Sequence, residues 1–364
     1  MATVQPLPLI NFGQLTATDA GDRIPRPLVE MPTSGPLVDS FGRRLEDLRV
    51  SITDRCNFRC LYCMPEEGLP WIPAAGVMTF DEIERLVRLL VGLGIKEVRL
   101  TGGEPTLRAG LPDLIRRLAP MNGLESLSLT TNGFLLKQMA GPLAGAGLTR
   151  INVSLDTLMQ AKFEQITRRD ALQQVLEGLE EVERHPSISP IKVNAVAMRD
   201  FTEEEIISFA ELARRKPYIV RFIEYMPLDA EGNWTNQAVL TGEEVRQVIH
   251  AWKPLVLVAG QDPSSTSRDY IFDDGIGRMG FINPVSEPFC ASCNRLRLTA
   301  DGGLRTCLFS LEDTSLLAPL RAGASNGEME QLIRAAVWRK ELKHHINEGA
   351  YFVRPNRSMS QIGG

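Results

Sequence analysis

The stretch LRVSITDRCNFRCLYCM (48–64) places a short β-branched strand directly before three closely spaced cysteines. Outward from it, strands alternate with amphipathic helical segments. LRVSIT (48–53) is followed by DEIERLVRLLVGLG (81–94), and KEVRLT (96–101) is followed by LPDLIRRLA (111–119). This alternation predicts a parallel sheet flanked by helices, because each helix carries the chain back to the start of the next strand.

Four more strands continue the alternation. They are ESLSLTT (125–131), RINVSLD (150–156), IKVNAVAM (191–198) and YIVRFIEYM (218–226). The resulting six strand–helix units are fewer than the eight of a complete TIM barrel. We therefore expect an α/β fold in the form of a partial (βα)6 barrel of the TIM type, with an ordinary doubly wound sheet as the alternative.

The pattern divides the chain into three regions. Residues 1–44 are rich in Pro, Gly, Thr and Ser, which predicts a mostly disordered N-terminal extension. Residues 45–230 hold the strand–helix units. In residues 231–364, short strands surround a second cysteine group, and two helical segments follow at about 311–321 and 326–339. We expect this C-terminal region to cover the open side of the barrel.

The composition is that of a globular protein, with 43% hydrophobic and 23% charged residues. The net charge of −5 gives no support to general binding of nucleic acid or of a membrane surface. The N-terminus lacks the basic and apolar regions of a signal peptide, so we expect a cytoplasmic protein. Clustered cysteines in that reducing compartment usually hold metal.

The first cysteine group, Cys56, Cys60 and Cys63, has the spacing C-x3-C-x2-C. Three thiolates can bind three irons of a four-iron cluster and leave the fourth open. A structural zinc site normally has four protein ligands, and all four histidines lie far away in sequence. An open iron–sulfur cluster and a zinc site with an unidentified fourth ligand are the alternatives.

The residues around this group indicate a ligand next to the metal. Tyr62 stands between the last two cysteines, where its ring can cover one side of the site. Gly102 and Gly103 end the second strand, and paired glycines allow the backbone to approach a ligand closely. The carboxylate of Glu104 can accept hydrogen bonds from an ammonium group.

The second cysteine group, Cys290, Cys293 and Cys307, has the spacing C-x2-C-x13-C and uses the remaining cysteines. It again offers three ligands, and a structural zinc or iron–sulfur site is the alternative to an open cluster. Arg295 and Arg297 follow on a strand, where residues two apart point to the same face. Two guanidiniums beside a metal favour a phosphate or carboxylate site.

Other cations lie within the apolar strands: Arg49, Arg99, Lys192 and Arg221. Both faces of a parallel sheet are usually apolar, so recurring cations there need an explanation. A polyanionic substrate inside the barrel is the explanation that we favour. The chain has no G-x4-G-K-[ST] sequence, so a nucleotide would be held by side-chain cations.

The first cysteine motif together with TGGEP (101–105) resembles the radical SAM (S-adenosylmethionine) superfamily. From about Gly42 onward the chain resembles, within it, the GTP 3′,8-cyclase family. The motifs that carry this resemblance are GRRLEDLRVSITDRCNFRCLYCMP, RLTGGEPTLR, LTTNG, INVSLD, IKVNAV, RFIEYMPL, FCASCNRLRLTADGGLRTCL and the terminal Gly363-Gly364.

The resemblance implies two [4Fe–4S] clusters and SAM as cofactors. One cluster electron would cleave SAM to a 5′-deoxyadenosyl radical, which abstracts hydrogen from C3′ of GTP. The C3′ radical would attack C8 of guanine, and reduction would give (8S)-3′,8-cyclo-7,8-dihydroguanosine 5′-triphosphate. This lyase reaction is the first step of molybdenum cofactor biosynthesis. The second cluster would bind and position the guanine base.

The resemblance also implies roles for individual residues. The residues that it places around SAM are Tyr62, Gly103, Ser154 and Met226, and we add Glu104 from the chemistry of its carboxylate. The residues that it places around GTP are Arg49, Arg99, Thr130, Lys192, Arg295, Leu296 and Arg297, and we add Arg221 as a cation within an apolar strand. The resemblance gives catalytic roles to Arg295, Arg297, Gly363 and Gly364. The two glycines have no side chains, so the end of the chain can enter a narrow pocket. A merely mobile chain end is the alternative for the glycines.

The implied partners are GTP, a reduced flavodoxin- or ferredoxin-type electron donor, and a downstream cyclic pyranopterin monophosphate synthase. A homodimer is compatible with the resemblance, whereas neither nucleic acid nor a membrane is expected as a partner. Two other functions remain as alternatives. One is a peptide-modifying radical SAM enzyme with an auxiliary cluster, and the other is a non-catalytic metal or electron-transfer protein.

Overall fold

The computed structural model describes residues 28, 30–349 and 351–363. Within these residues, twelve strands form one sheet. The strands are β1 (Asp47–Ser51), β2 (Glu97–Thr101), β3 (Ser126–Thr131), β4 (Arg150–Ser154), β5 (Ile191–Ala197), β6 (Tyr218–Glu224), β7 (Leu255–Leu257), β8 (Arg268–Phe272), β9 (Arg278–Ile282), β10 (Arg295–Leu298), β11 (Gly303–Arg305) and β12 (Thr314–Ser315).

The six predicted strands β1 to β6 lie side by side in sequence order and are all parallel. A doubly wound sheet reverses its strand order at a switch point, and this sheet does not. The sequential order is that of a barrel wall, and the sheet is not closed. The predicted partial barrel is therefore confirmed, and the doubly wound alternative is wrong.

Helices connect these strands and continue in the C-terminal region. They are α1 (Phe80–Gly92), α2 (Leu111–Leu118), α3 (Leu136–Ala146), α4 (Gln160–Thr167), α5 (Leu172–Glu183), α6 (Ile206–Arg215), α7 (Gly242–Trp252), α8 (Leu317–Arg321), α9 (Asn326–Trp338) and α10 (Met359–Ile362). In α1 a capping box between Thr79 and Glu82 starts the helix, and residues such as Ile83 and Leu90 bury one face. Within the described part of the chain, no helix is long and apolar enough to span a membrane.

The C-terminal region extends both edges of the same sheet. At one edge β10 pairs in parallel with β1, so that Leu296 lies opposite Leu48. At the other edge β9 pairs in parallel with β6, so that Phe281 lies opposite Phe222. The strand order is therefore β12-β11-β10-β1-β2-β3-β4-β5-β6-β9-β8-β7. One continuous core runs beneath strands from both parts of the chain.

Two boundaries differ from the sequence-based expectation. Leu37 and Asp39 are fully buried and Val38 pairs with Arg44, so this stretch belongs to the folded unit. Its apolar side chains fill the core despite the Pro- and Gly-rich surroundings. The rest of the expected extension, 1–27 and 29, lies outside the described residues. The helix expected from about residue 311 begins only at Leu317, because β12 precedes it.

Candidate active site

A cavity within the curve of the sheet brings together residues that are remote in sequence. It is lined by most of the predicted ligand-contacting residues. Those from the barrel and its loops are Arg49, Tyr62, Arg99, Thr130, Ser154, Arg221 and Met226. Those from the C-terminal region are Cys290, Cys293, Arg295, Arg297 and Cys307. One wall therefore contains Tyr62 from the first cysteine loop and the three cysteines of the second group.

Leu296 does not face this cavity. It is fully buried in the hydrophobic core, where its strand pairs with β1. Arg295 and Arg297, one position to either side, point into the cavity instead. Because successive side chains of a strand alternate between its faces, the predicted contact of Leu296 with GTP would have to come from its backbone.

Gly103 and Glu104 do not line the cavity either. A Cβ on Gly103 would lie 2.4 Å from the carbonyl oxygen of Arg55, so the glycine allows close packing against the first cysteine loop. The Glu104 carboxylate accepts bonds from both Thr106 donors, from the Thr131 hydroxyl and from the Asn132 N–H. Three of these donors meet Oε1 and one, the Asn132 N–H, meets Oε2, so Oε2 keeps an acceptor position and the contact of Glu104 with an ammonium group stays a prediction.

Several guanidiniums crowd one side of the cavity. Burial lowers the pKa of Arg49 well below its usual range, and the nearby Arg297 and Arg99 lower it further. Burial, followed by Arg295, lowers the pKa of Arg297 to about 10. Like charges held this close in a buried site disfavour their own ionised forms. A polyanion in the cavity would relieve this repulsion.

Three polar atoms in the cavity wall lack a hydrogen-bond partner in the described structure: Arg49 Nε, Asn194 Oδ1 and Arg221 Nε. Buried polar groups are normally paired, because an unsatisfied group costs about 1–3 kcal/mol. Asn194 was not predicted, although it lies two residues after Lys192 on the same face of β5. The unpartnered donors and acceptor mark the cavity as built for a polar ligand.

Lys192 is half-buried and lies outside the cavity wall, in a charged layer with Arg221 and Arg99. Burial lowers its pKa to about 7, and both arginines contribute to the shift. The only anion of this layer that the described contacts show is Asp269, 3.8 Å from the Arg221 guanidinium. The positive charge of this layer therefore exceeds its negative charge.

The first cysteine group lies beside the cavity in an acidic environment. Burial, with Glu104 second, raises the pKa of the Cys56 thiol to about 12. Burial also raises the pKa of Cys60, with the other two thiols and then Asp156 adding to it. Asp156, which the sequence analysis missed, lines the cavity and accepts a 2.7 Å hydrogen bond from the Tyr62 hydroxyl. It holds Tyr62, which lines the cavity next to these thiols.

The second cysteine group lies in a basic environment. Although burial opposes the shift, Lys340 and Arg295 lower the pKa of Cys293 to about 7. The buried Lys340 ammonium donates to the carbonyl oxygens of Arg295 and Thr306, each next to one ligand loop. Lys340 lies far from the cysteines in sequence, and no local signal pointed to it.

Two buried arginines hold the backbone of this second group. Arg43 donates to the carbonyl oxygen of Cys290 at 2.8 Å, and Asp39 pairs with Arg43. Arg305 pairs with Asp313 and donates to the carbonyl oxygen of Ser310 at 2.8 Å. The loops that carry the three thiols are therefore fixed by cations on both sides.

Neither group has the geometry of a single-ion site. All six thiols are free, and each group is brought together at one place. Across the described residues, no three Cys, His, Asp or Glu side chains are placed to hold one metal ion. A mononuclear zinc site with four protein ligands is therefore not supported at either group. A multi-iron cluster holds its thiolates further apart than one ion does, and three such ligands fit it.

The C-terminal tail reaches the cationic side of the cavity. Arg297 donates a 2.7 Å hydrogen bond to the carbonyl oxygen of Gly363, and both groups are buried. Gly363 has a φ of +86°, and a Cβ there would lie 2.9 Å from the side chains of Ser51 and Thr101. Only glycine fits this position without strain. Gly364 lies outside the described residues.

Comparisons with known proteins agree with this site. The sequence profile of the Radical SAM superfamily matches residues 50–213, and that of Molybdenum Cofactor Synthesis C matches residues 218–346. The crystal structure of Streptococcus suis SuiB bound to S-adenosylmethionine has a TM-score of 0.53 and 15% identity, covering 79% of this chain and 66% of that chain. At this identity the likeness concerns the fold alone.

Two relatives are much more similar in sequence. GTP 3′,8-cyclase of Rhodopirellula baltica is 44% identical over 332 residues, covering 90% of this chain and 92% of the relative. GTP 3′,8-cyclase of Streptomyces coelicolor is 44% identical over 330 residues, covering 90% of this chain and 96% of the relative. The chain belongs to the GTP 3′,8-cyclase family of radical SAM enzymes, which use S-adenosylmethionine and an iron–sulfur cluster.

Proposed function

We propose that this chain converts GTP into (8S)-3′,8-cyclo-7,8-dihydroguanosine 5′-triphosphate, the first step of molybdenum cofactor biosynthesis. The observation that carries the proposal is one cavity that is lined by the three thiols of the second group, by Tyr62 of the first cysteine loop and by a crowded set of guanidiniums. The relatives of 44% identity are named for the same activity.

Cys56, Cys60 and Cys63 hold the first [4Fe–4S] cluster in this proposal. Three buried thiols on one loop match the ligand set, and the fourth iron stays open to SAM. Bound there, SAM and the cluster supply a hydrogen-abstracting radical. Tyr62, which Asp156 holds, lines the cavity next to this loop, together with Ser154 and Met226. These residues would orient SAM and exclude water from it.

Cys290, Cys293 and Cys307 hold a second [4Fe–4S] cluster. Lys340, Arg295 and Arg43 place positive charge near Cys293 and lower its pKa against the effect of burial, which favours its ionised, ligating form. The group opens directly into the cavity, so an open iron there would face the guanine base. Thr130 on β3 and Arg99 on β2 also line the cavity and would contact the ribose and the phosphates.

The guanidiniums of Arg49, Arg297 and Arg221 bind the triphosphate. The Nε atoms of Arg49 and Arg221 lack a partner in the described structure and the guanidiniums repel one another, and a polyanion would satisfy both conditions. Lys192 adds a further positive charge behind them when it is protonated. The same cations keep the substrate in one orientation beside SAM.

The partners of the reaction follow from this chemistry. A reduced flavodoxin- or ferredoxin-type protein would supply the electron, and a cyclic pyranopterin monophosphate synthase would take up the product. We propose a cytoplasmic location, and a homodimer is compatible with it. Gly363 and Gly364 complete the site, with the Gly363 carbonyl held on Arg297.

The test is an anaerobic single turnover of reconstituted protein with SAM, dithionite and GTP. We expect 5′-deoxyadenosine formation to rise with GTP and a cyclised guanosine product to appear. SAM cleavage that ignores GTP would favour another substrate, such as a peptide. Arg297→Ala should lose product, whereas Arg339→Ala, at the rim of a neighbouring surface pocket, serves as the matched control.

Metal analysis tests the cluster assignment separately. We expect about eight irons per chain, from two four-iron clusters. Two zinc ions without sulfide would contradict the proposal and favour a structural protein. Triple replacement of Cys290, Cys293 and Cys307 by Ser should remove half of the iron and leave a SAM-sensitive cluster.

A further inference from the structure

Asn194 of β5 lies in the cavity wall next to the charged layer. Its register partners on the neighbouring strands are Ser154 of β4 and Arg221 of β6, and all three residues line the cavity. Lys192, two residues earlier on the same strand face, belongs to the charged layer, and Val196, two residues later, lines the cavity. Asn194 is therefore the amide at the border between the cations and the rest of the wall.

The Asn194 side chain carries a buried acceptor without a partner. Its Oδ1 makes no hydrogen bond in the described structure. The Nε of Arg221, on the adjacent strand, is buried and unpartnered as well, so this neighbouring donor and acceptor do not satisfy each other. Such orphaned groups are rare, because an unsatisfied buried polar group is costly. The two atoms together point to a ligand that offers a donor close to an acceptor.

The sugar phosphate part of a nucleotide is such a ligand. Ionised phosphate oxygens accept hydrogen bonds, so they can satisfy the Arg221 Nε and cannot satisfy the Asn194 Oδ1. In the proposed function the guanine base lies at the second cysteine group, beside β10, and four strands, β1 to β4, separate β10 from β5. The ribose hydroxyls are then the substrate donors that remain for Asn194. SAM also has ribose hydroxyls, but it carries no phosphate for Arg221.

We propose that Asn194 is a specificity-determining residue whose Oδ1 accepts a hydrogen bond from the ribose 2′-hydroxyl of GTP. The inference rests on the proposed function, because it takes GTP as the ligand and Arg221 as a phosphate contact. In that reaction C3′ has to face SAM, so the hydroxyl of the neighbouring C2′ is the one that is free for a fixed contact. A nucleotide without this hydroxyl leaves Oδ1 unsatisfied and binds more weakly.

The test is a calorimetric titration of the reconstituted full chain with GTP and with 2′-deoxy-GTP. We expect the wild-type protein to bind GTP about tenfold more tightly than 2′-deoxy-GTP. Asn194→Ala should bind both nucleotides equally, because the acceptor is gone. Asn194→Asp keeps an acceptor, so it should keep the preference for GTP although its charge weakens the binding of both triphosphates. Asn152→Ala removes a buried amide of β4 that already donates to the Leu129 carbonyl oxygen, and this control should keep the preference.

An undiminished preference for GTP in Asn194→Ala would overturn the inference, and so would equal loss of the preference in Asn152→Ala. Titration with SAM separates the two riboses, because weaker binding of SAM by Asn194→Ala with an unchanged preference for GTP would assign the amide to SAM instead. A wild-type protein that cyclises GTP and binds 2′-deoxy-GTP equally well would overturn this inference alone. Failure of the proposed function would look different, since the wild-type protein would then form no cyclised product.

Discussion

The two cysteine groups have the same number of thiols and opposite electrostatic environments. At the first group, burial and then Glu104 raise the pKa of Cys56 to about 12. At the second, Lys340 and Arg295 overcome burial and lower the pKa of Cys293 to about 7. Negative surroundings make an added electron costly and suit a strong reductant. Positive surroundings suit a site that has to hold a polyanionic nucleotide.

The comparison also gives a reason for placing the two cysteine groups in different surroundings. A reducing centre close to the substrate cations would lose much of its reducing character to their positive charge. Tyr62 and Asp156 line the cavity next to the first group, whereas the thiols of the second group line it themselves. In the proposed function, this arrangement would keep electron supply apart from substrate binding.

The largest effect should come from removing one thiol at each end. We expect Cys60→Ser to abolish 5′-deoxyadenosine formation, because the SAM-binding cluster is lost. Cys293→Ser should keep SAM cleavage measurable and lose the cyclised product. Liquid chromatography of both products in single turnovers measures this. Equal behaviour of the two variants would break the comparison.

The next largest effect concerns the tail that connects the two ends. Gly363→Ala introduces a Cβ 2.9 Å from Ser51 and Thr101 at a φ of +86°. Such backbone strain costs about 1–3 kcal/mol, so turnover should fall roughly 5- to 150-fold. Iron content should stay at the wild-type level. Gly349→Ala, where a Cβ meets nothing within 4 Å, should retain full turnover.

A chain ending at Ile362 tests the same point without any added side chain. It removes the carbonyl that accepts from Arg297. Normal cyclisation by this shorter chain would contradict a role for the terminal glycines, while loss of product with retained clusters would support it.

A smaller effect is expected from pH at the cationic end. Burial lowers the pKa of Lys192 to about 7, so the free protein loses this charge as pH rises through that value. GTP binds better to the protonated form, and its affinity should fall above about pH 7 by at most about tenfold per unit. The terminal phosphate has a second pKa of about 6, so its own ionisation becomes more complete as pH rises and acts in the opposite direction.

Calorimetric titration with GTP at several pH values measures this dependence. Lys192→Met should bind more weakly near pH 7 and show a flatter profile above it. Lys343→Met, which removes an exposed cation from the C-terminal region, is the control. An equally steep profile in Lys192→Met would show that another group titrates.

The smallest effect should come from Tyr62→Phe at the acidic end. The change removes the 2.7 Å hydrogen bond to Asp156, which is worth about 1 kcal/mol, and should weaken SAM binding about fivefold. The exposed Tyr351→Phe is the matched control. Equilibrium binding of SAM to the oxidised protein measures it, and unchanged affinity would show that the ring alone suffices.

Much of the fold could be predicted because it repeats. Each strand–helix unit carries its own periodicity, and six of them in a row determine a parallel sheet. The cysteine spacings and the alternation of Arg295 and Arg297 are equally local patterns. The same alternation should have assigned Leu296 to the core, since a residue between two cavity-facing arginines must point to the other face.

The remaining features depend on contacts between distant segments. Lys340 meets the ligand loops only after the C-terminal region has folded back, and Asp39 with Arg43 is buried by the same step. Glu104 looked free in sequence, but the Thr131 hydroxyl and the Asn132 N–H donate to it from the end of a neighbouring strand. No local pattern encodes such pairings.

The parallel pairing of β10 with β1 and of β9 with β6 has a consequence for biosynthesis. When the ribosome has completed β6, both flanking strands of the future sheet are still unmade. The nascent barrel then exposes an unpaired strand at each side, which is the usual starting point of aggregation. Joining strands so distant along the chain is slow. Production of this enzyme should therefore benefit from slower translation or from chaperones, and a fragment ending just after β6, near residue 226, should be insoluble.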